Sequence, residues 1–203
     1  MKLDLKLTPK LTIIFVLFAF VLLLTVGVMA YRSGQQALIA ATISELTATA
    51  VEKEAALDEW IEDQQMDLGI LTALPTMHQA LSNLQAGSTN AAGSLESVRQ
   101  EMVPWLGPHG FRALLILDPV TGQVLVATDP SQEGKFKENR PYFIHGREGP
   151  YVQDPYYSLV LREPAMTIAT PIRSEAGQLL GVLVGRLNLE SLNEIIQRGS
   201  GIR

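Results

Sequence analysis

From Leu11 to Ala30 the chain reads LTIIFVLFAFVLLLTVGVMA, twenty residues without a charge. At about 1.5 Å rise per residue a helix of this length matches the roughly 30 Å hydrocarbon core of a bilayer. Residues 11–30 are therefore expected to form a transmembrane helix, with Thr8 as N-cap and Pro9 at the first helical position, where its missing N–H costs nothing. Lys2, Lys6 and Lys10 precede the run and Arg32 alone closely follows it. The positive-inside bias then makes residues 1–10 a cytoplasmic tail and puts everything after Tyr31 outside the inner (plasma) membrane. The competing reading is a cleaved signal peptide ending at Val28-Met29-Ala30. The apolar run exceeds the roughly 7 to 15 residues of a signal core, and a helical pattern continues past the cut.

Once this segment is set aside, 203 residues with 47% hydrophobic and 18% charged content suffice for one core of ordinary size. The net charge of -5 offers nothing basic enough to follow a nucleic-acid backbone. No cysteine is present, which excludes disulfides, thiolate metal sites and cysteine nucleophiles.

Residues 31–74 are expected to be a long extracytoplasmic helix, free of proline between Ser33 and Ala73 and dense in Ala, Leu, Glu, Gln and Ile. Leu38, Ile43, Leu46, Ala50, Leu57, Ile61, Leu68 and Leu71 recur at threes, fours and sevens, a stripe suited to a partner and hence to a homodimer through this helix. Glu45, Glu52, Glu54, Glu59, Glu62 and Asp63 supply a solvated face. Pro75 closes or kinks the helix and opens a helical connector over residues 75–110. Within it a helical piece runs to about Leu84, a loop covers Gly87 to Gly93, and Ser94 can cap a short helix carrying Leu95, Val98 and Met102 on one side.

Past Pro104, Gly107 and Pro108 the period changes. Phe111 to Leu117 and Gln123 to Thr128 read as strands around the turn Asp118-Pro-Val-Thr-Gly122. Asp129 to Pro155 is polar and irregular, with one helical turn near Pro141 to His145. Ala165 to Ile172 and Leu179 to Leu189 form a second hairpin, Tyr156 to Leu161 offers a fifth strand, and Leu189 to Gln197 a closing helix. The fold class is thus α+β: a transmembrane helix, a long helix, then an antiparallel sheet of about five strands flanked by short helices.

The strand-turn-strand, the Asn-Arg-Pro-Tyr-Phe143 segment, the Ala-Thr-Pro-Ile172 strand end and the Gly-Val-Leu-Val-Gly185 strand together resemble a Cache-type sensor domain. This resemblance implies a PAS-like module over residues 111–197, of the kind found outside the membrane in bacterial histidine kinases, chemoreceptors and diguanylate cyclases. In the double-module form a second, membrane-proximal module follows, so residues 198–203 are expected to be a linker toward it. The resemblance also places a small ligand between the sheet and its covering loops, with Arg140-Pro-Tyr142-Phe143 as the contact segment.

The residues suit that role. Arg140 offers a planar fork matching a carboxylate. Tyr142, Tyr151, Tyr156 and Tyr157 give apolar walls with polar tips, and Asp154 can accept from an amine. Against this, Arg140 could pair with Glu138 or Glu148 at the surface. The amino-acid-binding subset of the family carries an aspartate on the last strand; here the region around Asn188 offers an amide, which leaves a carboxylate or another small organic ligand open. His78, His109 and His145 lie far apart with no second ligand at metal spacing, and Asp118 fits its turn, so neither metal nor cofactor is expected. No nucleophile elbow, Walker loop or dinucleotide fingerprint occurs. The expectation is a non-enzymatic ligand-sensing region that relays a packing change through the long helix to an output domain elsewhere, with a histidine kinase as first choice of parent and a chemoreceptor or cyclase next. The alternative is a dimerisation scaffold that binds nothing.

Overall fold

The computed structural model describes residues 7–88, 91–107, 110–158 and 163–189. The chain divides into two compact units, Met1–Glu52 and Lys53–Arg203. The first helix, α1 (Leu7–Thr72), contributes to both. It starts one residue ahead of the expected Thr8 cap, with Pro9 still in its first turn.

In the first unit the described residues are helix alone, and the side chains of the apolar run stand open: Leu11, Phe15 and Leu23 are each 73% exposed. Such a surface is costly in water and at home in lipid, so the segment fits a transmembrane helix in length and composition. Within it the Thr25 hydroxyl donates to the Val21 carbonyl at 2.7 Å, so this polar group needs no water.

The second unit begins with the last turns of α1, which bury Leu68 and Leu71 completely. Proline at 75 cannot continue the helix, and it holds Leu74 extended at φ −65°, ψ 128°, so α2 (Pro75–Gln85) starts in a new direction. Next comes α3 (Ala91–Met102). It begins ahead of Ser94, which lies inside the helix rather than capping it; the preceding loop is correspondingly shorter than expected.

The sheet comprises β1 (Phe111–Leu117), β2 (Val124–Ala127), β3 (Tyr151–Ser158), β4 (Glu163–Arg173) and β5 (Leu179–Leu187), with the short α4 (Pro141–Gly146) between β2 and β3. Strand order is β2-β1-β5-β4-β3, antiparallel at every junction. Both faces are covered, which is why the central strands read as continuous apolar runs rather than alternating ones. One face packs Leu114, Ile116, Ile168 and Leu183 against Leu68, Leu71, Met77, Leu81, Val98 and Met102 of the first three helices. The other packs Leu115, Leu117, Ala169, Val182 and Val184 against Tyr142 and Phe143 of α4.

The fifth strand differs from expectation. β3 starts at Tyr151, inside the stretch read as irregular, because Asp154 and Pro155 are poor strand residues in sequence. The structure places them at a bulge between Gln153 and Tyr156, on an edge strand where proline needs no partner. The expected closing helix falls, apart from Leu189, outside the described residues.

Gly185 on β5 sets how closely the helices approach the sheet. A Cβ there would lie 2.5 Å from the Phe111 ring and 2.8 Å from Leu68 Cδ1. Gly185→Ala is expected to destabilise the second unit by about 1–3 kcal/mol through this overpacking, measured as a lower midpoint in thermal or urea unfolding, whereas Gly149→Ala, which meets no neighbour, leaves the midpoint in place.

Candidate functional site

A cavity of about 140 Å³ opens on the α4 side of the sheet, lined by Lys137, Arg140, Tyr142, Gln153, Tyr156, Tyr157, Ser158 and Arg186. Three pieces of local structure bring these residues together.

The first is the turn after β1. The Asp118 carboxylate accepts from the Val120 and Thr121 amides at 3.0 and 2.7 Å and from the Thr121 hydroxyl at 2.8 Å, as an aspartate turn should. Gly122 closes it at φ +69°, and a Cβ at that position would lie 2.8 Å from the Glu138 nitrogen. Only glycine combines that backbone with that approach. The segment after β2 then runs back along it: Val124 donates to Lys135 and Lys137 to Gly122, both at 2.9 Å. Lys137 is thereby held at the cavity rim.

The second is the entry into α4. Arg140 is extended (φ −90°, ψ 134°) ahead of Pro141, and its carbonyl accepts from Phe143 and Ile144. Its side chain is exposed, and among the described residues it forms no ion pair with Glu138 or Glu148. One residue into the helix, Tyr142 is 3% exposed. Burial pushes its phenol above the usual tyrosine range, partly offset by the Arg186 guanidinium, which hydrogen-bonds it.

The third is the sheet floor. Gln153 pairs with Thr167 and Thr167 with Arg186, a polar row crossing β3, β4 and β5 on one face. The β3 bulge lets Tyr156 share that face although it is three residues from Gln153; its hydroxyl lies 3.1 Å from the Thr167 Oγ1. Arg186 is 8% exposed. Gln153 Oε1 is buried with no hydrogen-bond partner among the described residues.

Among the described residues three cations line the cavity and no carboxylate does. Lys137 registers this field: its pKa is lowered, first by burial and then by Arg186, Arg140 and Lys135. Of the residues expected from sequence, Arg140, Tyr142, Tyr156 and Tyr157 line the cavity together. Tyr151 and Asp154 do not. Tyr151 sits further along the strand with its ring 4.7 Å from that of His145, and Asp154 is exposed at the bulge. Asn188 lies past the end of β5, its backbone N–H donating to the Gly110 carbonyl. Sequence reasoning missed Lys137, Gln153, Ser158 and Arg186. Arg186 carried a usable signal, since a lone charge in VLVGRL falls on the same alternation as Val182 and Val184.

No group of three His, Asp or Glu side chains that could hold a metal ion occurs among the described residues. His78 Nε2 lies 2.7 Å from the Thr72 carbonyl, and His109 is outside the described residues.

No family model and no curated protein matches the sequence. Solved structures do. The sensor domain of the Vibrio cholerae histidine kinase DctB superposes with TM-score 0.65 at 15% identity, over 77% of this chain and 60% of that one. The ligand-binding domain of the Pseudomonas aeruginosa amino-acid chemoreceptor PctC, solved with GABA, gives 0.53 at 20% identity over 76% and 67%. A domain assigned to the sensory box/GGDEF family from Vibrio parahaemolyticus gives 0.53 at 17% over 72% and 61%. The chain thus spans about three fifths of the DctB sensor domain. At these identities the likeness is one of fold, and that fold is the Cache-type, PAS-like architecture of histidine-kinase and chemoreceptor sensor domains.

Proposed function

We propose that this chain is the ligand-sensing region of a membrane-bound bacterial receptor, and that the cavity between α4 and the sheet binds a small organic carboxylate. The observation that carries this is the convergence of Lys137, Arg140 and Arg186 on one cavity, with no acid among the described residues that line it. A cavity near 150 Å³ accommodates a molecule of about six heavy atoms, which suits a short organic acid. A chemoreceptor domain of the same fold has been solved with GABA, itself a carboxylate. Arg140 closes on the ligand from the rim, Tyr142 and Tyr156 wall it, and Arg186 meets it from the floor.

In this reading the first unit is an inner-membrane anchor with its N-terminus in the cytoplasm, and the sensor module faces the periplasm. Ligand binding shifts the packing of the sheet against the end of α1, and α1 passes the shift inward to an output domain, a histidine kinase by preference. Leu38, Ile43 and Leu46 are 70%, 59% and 66% exposed beyond the apolar run, which supports pairing of two copies through this helix.

Calorimetry on the full chain in lipid nanodiscs, against a panel of carboxylates and amines, tests the site. Arg140→Ala is expected to weaken carboxylate binding on the order of tenfold, the loss of one charge-assisted contact at a solvent-screened position. Unchanged affinity removes Arg140 from the site.

A second outcome concerns pH. An anionic ligand favours the charged form of Lys137 and moves its lowered pKa back toward 10.5. Binding therefore takes up a proton between the lowered value and 10.5, and affinity falls as pH rises through that alkaline window. Calorimetry in two buffers of different ionisation enthalpy reads the proton uptake, and Lys137→Gln abolishes it.

A further inference from the structure

Arg140 and Tyr142 reach the cavity from α4, a helix of six residues, too short to hold its place by its own hydrogen bonds. Its two ends are fixed differently. At the entry, Arg140 is extended ahead of Pro141 and exposed at the rim. At the exit, Gly146 is pressed onto the sheet: a Cβ there would lie 2.6 Å from Ala169 Cβ and 3.2 Å from Val182 Cγ1. Just past it, the carbonyls of Arg147 and Glu148 both accept from Arg173, the last residue of β4, whose Nη2 lies 3.0 and 3.4 Å from them. Nη1 of the same guanidinium donates to the Gly177 carbonyl at 3.3 Å.

The Gly177 end of this clamp is stiff. Gly177 donates to the Ser174 carbonyl and Ser174 to the Gln178 carbonyl, each at 2.8 Å, and Gly177 stands at φ +81°, where a side chain would be strained. Gln178 is tied in turn to α2, its Nε2 donating to Gln85 Oε1 at 3.3 Å. One guanidinium thus joins a helix that cannot hold itself to a turn that can. The planar fork suits the task, because its two nitrogens serve two segments at once, which a single ammonium does less well.

Resting on the reading that this cavity is the ligand site, we propose that Arg173 is a positioning residue for it: by clamping the exit of α4 to the β4–β5 turn, it fixes where Arg140 and Tyr142 stand. Arg173 is not among the residues that line the cavity. Its effect on binding is therefore indirect. With the exit released, α4 spends part of its time with Arg140 and Tyr142 out of place, and apparent affinity falls by the fraction of molecules still in place.

Hydrogen exchange and calorimetry with acetate, butyrate and succinate, both on the full chain in lipid nanodiscs, test this. Arg173 is exposed, so Arg173→Gln is expected to fold with its urea midpoint little changed. Exchange of the amides from Ile144 to Gly149 is expected to rise about fivefold in the ligand-free variant, with β1 and β5 amides unchanged, since only the α4 end is released. Affinity for the acid that binds the wild type best falls by a similar factor. Arg173→Lys keeps the charge without the fork and restores only part of both; full restoration means that charge alone acts, and overturns the clamp. Exchange in α4 that stays unchanged, or that rises together with exchange throughout the sheet, overturns it too, as does a loosened α4 with unchanged affinity. If the wild type binds none of the acids while α4 loosens in Arg173→Gln, the carboxylate reading falls and the clamp on α4 stands.

Discussion

The second unit depends on the two-sided burial of β5. The strand lies between β1 and β4 at the centre of the sheet, and residues 180–187 are all buried. Because successive side chains on a strand point to opposite faces, neighbouring residues serve different structures. Gly185 leaves room for the Phe111 ring and for Leu68 of α1, while Arg186 reaches the cavity behind it. Helix packing and the cavity lining are thus one residue apart. A displacement of β5 felt on one face cannot leave the other unchanged, since close-packed interiors transmit strain rather than absorb it.

Much of the fold was legible because its signals are local and repeated. The uncharged run at Leu11 to Ala30 fixes a helix by length alone, Pro75 forces a break wherever the helix otherwise leads, and the two apolar hairpins announce themselves by turn residues. Errors arose where one interaction overrode propensity. Ser94 has the chemistry of a cap, yet α3 already begins at Ala91. Asp154 and Pro155 argue against a strand, but a bulge on an edge absorbs both, and no local pattern declares a bulge.

The cavity was half legible for a related reason. Arg140, Tyr142, Tyr156 and Tyr157 cluster in sequence, so a contact segment could be read directly. Arg186 and Gln153 reach the same space through sheet pairing, by the row Gln153, Thr167, Arg186, and pairing partners far apart in sequence are invisible until the register is known. The bulge also decided which expected residues were included. It keeps Tyr156 on the face of Gln153 and leaves Asp154 exposed, outside the cavity where it was expected to suit an amine.

That exchange, an acid turned out and an arginine buried on the floor, gives the proposed sensing role its energetic logic. A ligand shifts a conformational equilibrium only by its differential affinity for the two states. Arg186 and Lys137 face one cavity, and the guanidinium contributes to lowering the Lys137 pKa. An anion between them turns that repulsion into attraction on both sides. The cavity lining includes β5, whose opposite face meets Leu68 beside Gly185 at van der Waals limits. The relay proposed for this module therefore needs no long pathway within it, only a strand with charge on one side and no spare volume on the other.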